Sequence, residues 1–302
     1  MIAIYFPTWA SPWTSDASKT DLANITTTLP GIKCVYLAFA QPDMSYSSGS
    51  FDGTGLQFSY DFNVVVEAIK ILKSKGVIVM LSVGGGAYWS SPKPFNDAPI
   101  LRLMKDLGCD GIDIDWEVGV NNDVALGYAI NAIRNSSNCK ISFAGWSTGA
   151  YGVDNTSNYK GMNISAMENF GSKVDWINIM SYDAGNDYDP LGALDCYRLY
   201  YPGPLNIGFE VGQQSWGGHL LSKDEVVKMV SYSKNNNSSN GAFIWSFGKS
   251  GTPSVADIVS TCVNIFGSTP VPIPPVPGPP PTPMPPTNYD IVCKVCNTVY
   301  HK

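Results

Sequence analysis

One short acidic run constrains this chain more than any other feature. It reads Asp-Gly-Ile-Asp-Ile-Asp-Trp-Glu over residues 110–117. Because side chains alternate between the two faces of a strand, a strand here places Asp113, Asp115 and Glu117 on one face and apolar side chains on the other. Carboxylates that share a buried face repel each other and lose solvation, so at least one keeps its proton at neutral pH. The run therefore indicates a protonated acid beside an ionised carboxylate.

Spacing alone leaves two other interpretations of this run open. A solvated face of an antiparallel sheet tolerates acidic residues, although the flanking sequence favours a parallel sheet. Alternating carboxylates also suit a hard cation such as magnesium or calcium. We favour general acid chemistry and expect neither a metal nor a cofactor.

The composition favours a globular protein with a large core. Apolar residues make up 44% of the 302 residues, charged residues 15%, and the net charge is -6. The sequence shows no basic patch, so we expect no nucleic-acid partner. It contains no run of about 18 apolar residues, so we expect no membrane span. We expect a monomer.

Short apolar runs alternate with helical patterns along the chain. This alternation predicts eight parallel strands covered on both faces, at residues 2–6, 34–40, 77–83, 111–117, 140–146, 174–182, 205–211 and 241–247. Helical spacing and end signals predict helices at 61–73, 98–107, 122–134, 189–200, 222–234 and 254–266. The count and length match a (β/α)8 TIM barrel over residues 1–267, with a doubly wound open sheet as the alternative.

The composition changes sharply after this region. Residues 268–287 are dominated by proline and predict an extended linker. Residues 288–302 are too few to bury a core and contain Cys293, Cys296 and His301. These three residues resemble half a zinc site or one bend of a disulfide module; we interpret the segment as a short tail or the stub of an accessory module. Cys34, Cys109 and Cys139 begin apolar strands and predict buried free thiols.

The first residues predict a strand rather than a signal peptide. We expect an extracellular protein, either numbered after processing or released by lysis or another non-standard route.

Catalytic groups of a barrel lie at the carboxyl ends of its strands. Glu117 ends the fourth predicted strand, Tyr182 and Asp183 the sixth, and Trp245 the eighth. A carboxylate group with aromatic side chains suits a sugar ring.

These residues resemble glycoside hydrolase family 18, the chitinases. Residues 110–117 match the D-x-x-D-x-D-x-E signature, 82–85 match S-x-G-G on strand three, and 180–183 match M-x-Y-D on strand six. Residues 5–9 and 38–40 resemble the first two strands of the family. The resemblance covers residues 1–267 and implies hydrolysis of internal β-1,4 linkages of chitin.

The resemblance also implies a retaining mechanism that the substrate assists. Glu117 would protonate the glycosidic oxygen, and the 2-acetamido carbonyl of the substrate would attack the anomeric carbon. Asp115 would hold the acetamide N–H, Asp113 would lie below it and share a proton, and Tyr182 would donate to the acetamide oxygen. The residues expected to bind substrate are Trp245, Tyr5, Phe39, Met180, Asp183, Ser82, Trp146 and Glu210.

Several other aromatic residues follow strand ends. Tyr88, Trp89 and Trp216 therefore form either further sugar subsites or plain packing. Asp110, Trp116 and Trp176 predict structural roles instead.

The connection between strands seven and eight is short, so the α+β insertion that many family members carry there is absent. An open cleft favours internal cleavage. Two alternatives are an endo-N-acetylglucosaminidase that cuts N-glycans and a chitin-binding, lectin-like protein; the presence of Glu117 argues against the second.

Overall fold

The structure is a computed structural model that describes residues 1–88, 94–118, 123–152, 157, 159–214, 219–267, 290–292 and 299–301. Its strands and helices alternate from the first residues to Gly267. The barrel strands are Ile2–Pro7 (β1), Cys34–Ala40 (β2), Ile78–Gly84 (β3), Gly111–Asp115 (β4), Lys140–Gly145 (β5), Trp176–Ile179 (β6), Leu205–Glu210 (β7) and Gly241–Trp245 (β8). The helices are Asp21–Thr28 (α1), Phe62–Ser74 (α2), Asp97–Leu107 (α3), Asp123–Ser136 (α4), Ile164–Phe170 (α5), Pro190–Tyr200 (α6), Lys223–Asn236 (α7) and Val255–Gly267 (α8).

The eight strands pair in chain order, all parallel, and β8 pairs with β1 to close the barrel. This closure confirms the (β/α)8 fold and decides against the open sheet. Between β7 and β8, the residues that the structure describes form one helix, α7, and no α+β insertion.

Local sequence signals fix several helix ends. Ser222 and Glu225 form a reciprocal capping box at the start of α7. Pro190 occupies the first turn of α6, after Asp189 caps it by accepting from the Leu191 N–H at 3.0 Å. The α3 helix ends at Gly108, which adopts the left-handed conformation.

The sequence analysis did not predict two of the helices. The α1 helix contains a run of β-branched residues, Ile25 to Thr28, whose helix propensity is low. The α5 helix is only seven residues long, too short for a clear helical period. Both helices are stabilised by tertiary packing of their buried side chains, which include Leu22, Ile25 and Met167.

The outward side chains of the strands form the main core with the inward faces of the helices. Trp116, which the sequence assigned to this core, is 1% exposed. Asp110 has the predicted structural role, since it accepts from the Val79 N–H at 2.9 Å and pairs with Lys73 at 2.9 Å. Cys34 and Cys109 are buried free thiols as predicted, whereas the free thiol Cys139 is half-buried.

The part of the chain beyond Gly267 remains largely a prediction. Residues 268–289, which include the predicted linker, and Cys293 and Cys296 lie outside the described residues. The short strands Asp290–Val292 (β9) and Val299–His301 (β10) pair antiparallel with each other. Across the described residues, no helix is both long and apolar enough to cross a membrane.

Candidate active site

A pocket of about 170 Å³ opens at the carboxyl ends of the strands. Strand ends and the loops that follow them supply its walls, as the barrel predicts. It is lined by Tyr5, Phe39, Gly86, Asp115, Glu117, Ala144, Trp146, Ser147, Met180, Tyr182, Asp183 and Trp245. The structure therefore brings most of the predicted site residues into one cavity.

Five strands end earlier than predicted, three of them by two or three residues, and this shapes the pocket. The β4 strand stops at Asp115, β6 at Ile179 and β8 at Trp245. Glu117 and Tyr182 consequently stand beyond the hydrogen-bonded ladder. The predicted strands were longer because the alternating pattern of apolar residues continues past the last hydrogen bond between neighbouring strands.

Asp113 lies at the floor of the site and is fully buried. It accepts hydrogen bonds from three hydroxyl groups: Tyr5 at 2.9 Å, Ser82 at 2.7 Å and Ser142 at 2.6 Å. Burial raises the pKa of Asp113, and these three hydrogen bonds oppose that rise because they favour the charged form. The three hydroxyl groups thus offset part of the cost of a negative charge on the buried Asp113.

A second layer of buried polar groups supports Asp113. The Asn178 Oδ1 accepts from the Asn206 amide at 2.8 Å and from the Tyr36 hydroxyl at 3.3 Å. With its oxygen occupied in this way, the Asn178 amide faces the Tyr5 hydroxyl at 3.3 Å and Asp113 at 3.5 Å. The network fixes which end of the Asn178 carboxamide faces the acid.

Asp115 lies between the other two carboxylates and is 5% exposed. Burial raises the pKa of Asp115 well above its ordinary value, and the charges of Glu117 and Asp113 raise it further. Two such close acids titrate as a pair. The pair therefore holds its proton more tightly than ordinary carboxyl groups do.

Glu117 faces the pocket from the loop after β4. Burial raises the pKa of Glu117 to about 7; the Gly86 N–H opposes this rise by donating to the carboxylate, and the charge of Asp183 adds to it. A carboxylic acid with a pKa near neutral suits general acid catalysis, because it is protonated and yet can give up its proton. Glu117 is the group best placed to protonate a leaving oxygen.

The glycine pair on β3 makes room for this arrangement. A Cβ atom on Gly85 would lie 2.7 Å from the Phe39 ring, and the backbone φ of +81° also disfavours a side chain. The Gly85 N–H donates to the Asp115 carbonyl at 2.9 Å. Gly85 therefore allows Phe39 and the end of β4 to approach each other.

Tyr182 and Asp183 line the pocket from the loop after β6. Burial raises the pKa of Tyr182 well above its ordinary value, and the charges of Asp115 and Glu210 add to this rise. The phenol therefore keeps its proton and can donate a hydrogen bond into the pocket. Asp183 has a positive φ of 52°, a conformation that Asp tolerates better than most residues.

Aromatic rings form the wall opposite the acids. The Trp245 ring stacks on Phe39 with centroids 5.5 Å apart and meets Tyr5 edge to face at 5.8 Å. Trp146 stacks on Tyr159 at 4.5 Å on the side of the pocket near β5. Flat apolar faces beside buried polar groups are the pattern of a sugar site.

Two residues expected to bind substrate do not line this pocket. Ser82 is fully buried and donates to Asp113, so it positions the acid rather than contacting a ligand. The buried Glu210 pairs with Lys249 and faces an adjoining cavity of about 130 Å³. Trp176, for which the sequence predicted a structural role, is buried, and its indole N–H donates to the Tyr36 hydroxyl at 2.7 Å. Trp89 and Trp216 lie outside the described residues.

Sequence reasoning missed several residues that act on the site. Ser142 could have been placed in the barrel interior from its alternation with Ala144, although its contact with Asp113 depends on the register of β5 against β4. Asn178 could also have been found from its inward phase two residues before Met180. Trp9, which is 51% exposed beside Phe39, carries no such signal.

Within the described ranges, no group of three or more His, Cys, Asp or Glu side chains is arranged to hold a metal ion. The donors around Asp113 are hydroxyl and amide groups instead, and these already occupy its oxygens.

Curated relatives share sequence with part of the chain. A chitinase of Plasmodium falciparum is 30% identical over 128 residues, which is 37% of this chain and 31% of that protein. Endochitinase 1 of Metarhizium robertsii is 25% identical over 224 residues, covering 68% of this chain and 51% of that protein. The chain thus spans about half the length, or less, of these relatives.

Solved structures share the fold. A chitinase of Pseudoalteromonas aurantia superposes with a TM-score of 0.62 at 18% identity, covering 87% of this chain and 99% of that one. A fungal endo-β-N-acetylglucosaminidase superposes with a TM-score of 0.63 at 15% identity, covering 88% and 97%. The sequence model of the glycosyl hydrolases family 18 matches residues 1–216, well over half of the chain. This chain therefore belongs to glycosyl hydrolases family 18.

Proposed function

We propose that this protein is an endo-chitinase that hydrolyses β-1,4 linkages between N-acetylglucosamine units. The observation that carries the proposal is the buried Asp115–Glu117 pair, in which Glu117 has a pKa of about 7, facing an aromatic wall in the same pocket. The curated relatives named chitinase and endochitinase support this substrate class.

The first half of the reaction transfers one proton and breaks one bond. Glu117 donates its proton to the glycosidic oxygen as the bond to the anomeric carbon breaks. The carbonyl oxygen of the 2-acetamido group attacks that carbon and forms a cyclic oxazolinium ion. Asp115, ionised at this stage, accepts the acetamide N–H and balances the positive charge. Tyr182 donates to the acetamide oxygen and orients it for attack.

The second half restores the enzyme. Glu117, now ionised, takes a proton from water, and the water oxygen attacks the anomeric carbon of the oxazolinium ion. The ring opens, the acetamide is regenerated, and the product has the same anomeric configuration as the substrate. The charge on Asp113, held by three hydroxyl groups, keeps the shared proton with Asp115 and Glu117.

The open mouth of the barrel supports internal cleavage. Between β7 and α7 the chain runs only from 211 to 222, so no added domain walls the cleft on that side. A long polymer can therefore lie across the pocket with both ends free.

The experiment is a product-release assay on soluble N-acetylglucosamine hexamers, on insoluble chitin and on an N-linked glycopeptide. We expect cleavage of the hexamer into internal fragments, and none with the Glu117→Gln variant. Cleavage of the glycopeptide alone would assign the protein as an endo-N-acetylglucosaminidase. Binding of the hexamer without release of product by the wild type would assign a lectin-like role.

A further inference from the structure

One side chain outside the pocket contacts two groups that shape it. The Lys249 ammonium, on the loop after β8, pairs with the Glu210 carboxylate. It also lies 5.8 Å from the centroid of the Trp245 ring, within the range of a cation–π interaction. Lys249 therefore links the end of β7 to the aromatic wall.

The strand ends and loops around these residues lie close together. Glu210 and Trp245 are register partners at the ends of adjacent strands, and the Val211 N–H donates to the Trp245 carbonyl at 3.1 Å. A Cβ atom on Gly251 would lie 2.5 Å from the Gly212 nitrogen, so the loops after β7 and β8 are in direct contact. The two loops and strand ends that carry Glu210, Trp245 and Lys249 are therefore in close contact.

The charge balance shows why a cation is needed there. The Glu210 side chain is 4% exposed, and it pairs with the Lys249 ammonium. Burial raises the pKa of Glu210, Lys249 opposes this rise, and the nearby charge of Asp183 adds to it. Lys249 thus favours the charged form of a buried carboxyl group beside the pocket and opposes the effect of burial.

We infer that Lys249 is a positioning residue for substrate binding: it fixes the Trp245 ring and the Glu210 carboxylate, and so sets how tightly the pocket holds an N-acetylglucosamine unit. Trp245 lines the pocket, whereas Lys249 acts from behind it. The inference rests on the proposed function. Because the ring contacts the sugar before and during the reaction, loss of Lys249 weakens binding in both states and leaves the chemical step largely unchanged.

The test compares Lys249→Met with Lys249→Arg on soluble chitin oligomers. For Lys249→Met we expect KM to rise about tenfold with kcat within about twofold; a tenfold change corresponds to about 1.4 kcal/mol. Lys249→Arg keeps the charge and should restore KM to within about threefold of wild type. Lys223→Met is the matched control, because Lys223 forms an exposed ion pair with Asp257 at 3.0 Å, away from the pocket.

A wild-type KM in Lys249→Met, or a loss confined to kcat, would overturn the inference while leaving the proposed function intact. A wild-type protein that neither binds nor cleaves the oligomers would overturn the proposed function itself. If Lys249→Met does not fold, Glu210→Gln serves instead, because it keeps the volume and removes the charge that Lys249 holds. An unchanged KM in Glu210→Gln would then overturn the inference.

Discussion

Glu117→Gln tests the central acid through the stability of the fold as well as through activity. The substitution keeps the size of the side chain and removes its ionisation. Since Glu117 is the proposed proton donor, we expect activity on chitin oligomers to fall by at least about a thousandfold, or about 4 kcal/mol of barrier. The same substitution should change how the free energy of unfolding depends on pH.

The magnitude follows from the pKa of Glu117, which burial raises from 4.5 to about 7. At 1.36 kcal/mol per pKa unit, this difference corresponds to about 3 kcal/mol. Because the folded state holds the proton more tightly than the unfolded state, this stability is fully present below about pH 4.5 and is lost as the pH rises to about 7. Glutamine does not ionise, so the unfolding free energy of the variant should not show this loss as the pH rises. Relief of Asp115 from the Glu117 charge acts in the same direction.

The measurement is urea unfolding of both proteins at about pH 4.5, 6 and 8. The difference in unfolding free energy, variant minus wild type, should grow by about 3 kcal/mol from the lowest to the highest pH. Glu168→Gln, an exposed glutamate on α5, provides the matched control and should show no such growth. A difference that stays constant with pH would show that Glu117 ionises as an ordinary glutamate does and would refute the assignment of the acid.

The site leads to four further predictions. Asp115→Asn removes the charge that balances the oxazolinium ion, so kcat should fall by about 30- to 1000-fold, or about 2 to 4 kcal/mol. The wild type should also fail to cleave fully deacetylated oligomers. Efficient cleavage of them would show that the acetamide does not attack. Ser142→Ala removes one of three donors that favour the charged form of Asp113, so the pKa of Asp113 should rise, which an NMR titration of its carboxyl carbon measures. Treatment with EDTA should leave activity unchanged, whereas a loss that magnesium restores would favour a metal site.

The sequence predicted the fold because its strongest signals are local. Parallel strands buried on both faces read as apolar runs, and their regular alternation with helices shows in the spacing alone. The acidic run was equally clear, since alternation placed Asp113 and Asp115 inward before any contact was known. The helix α1 was missed because packing, not propensity, forms it.

Contacts between distant strands were harder to predict. The Ser142 hydroxyl reaches Asp113 only because the two residues are register partners, and register is a property of the closed sheet. Ser82 was expected to bind substrate because the S-x-G-G motif does not show where the serine side chain points. In the structure, its hydroxyl donates to Asp113. Lys249 lies four residues after the end of β8, and the sequence around it gives no signal that it forms an ion pair with Glu210.

The state of the acid depends on closure of the whole barrel. Asp113 receives hydrogen bonds from Ser82 and Ser142 on the flanking strands and from Tyr5 on β1, so its surroundings draw on both halves of the sheet. These groups cost free energy to bury singly and stabilise the interior only together, because an unpartnered polar group in a low dielectric is destabilising. The burial that raises the pKa of Glu117 likewise exists only when β3 and β4 are in register beside Gly86. Opening one strand end would hydrate the carboxylates and return Glu117 to its ordinary acidity, so the proton required for catalysis is present at neutral pH only in the closed fold.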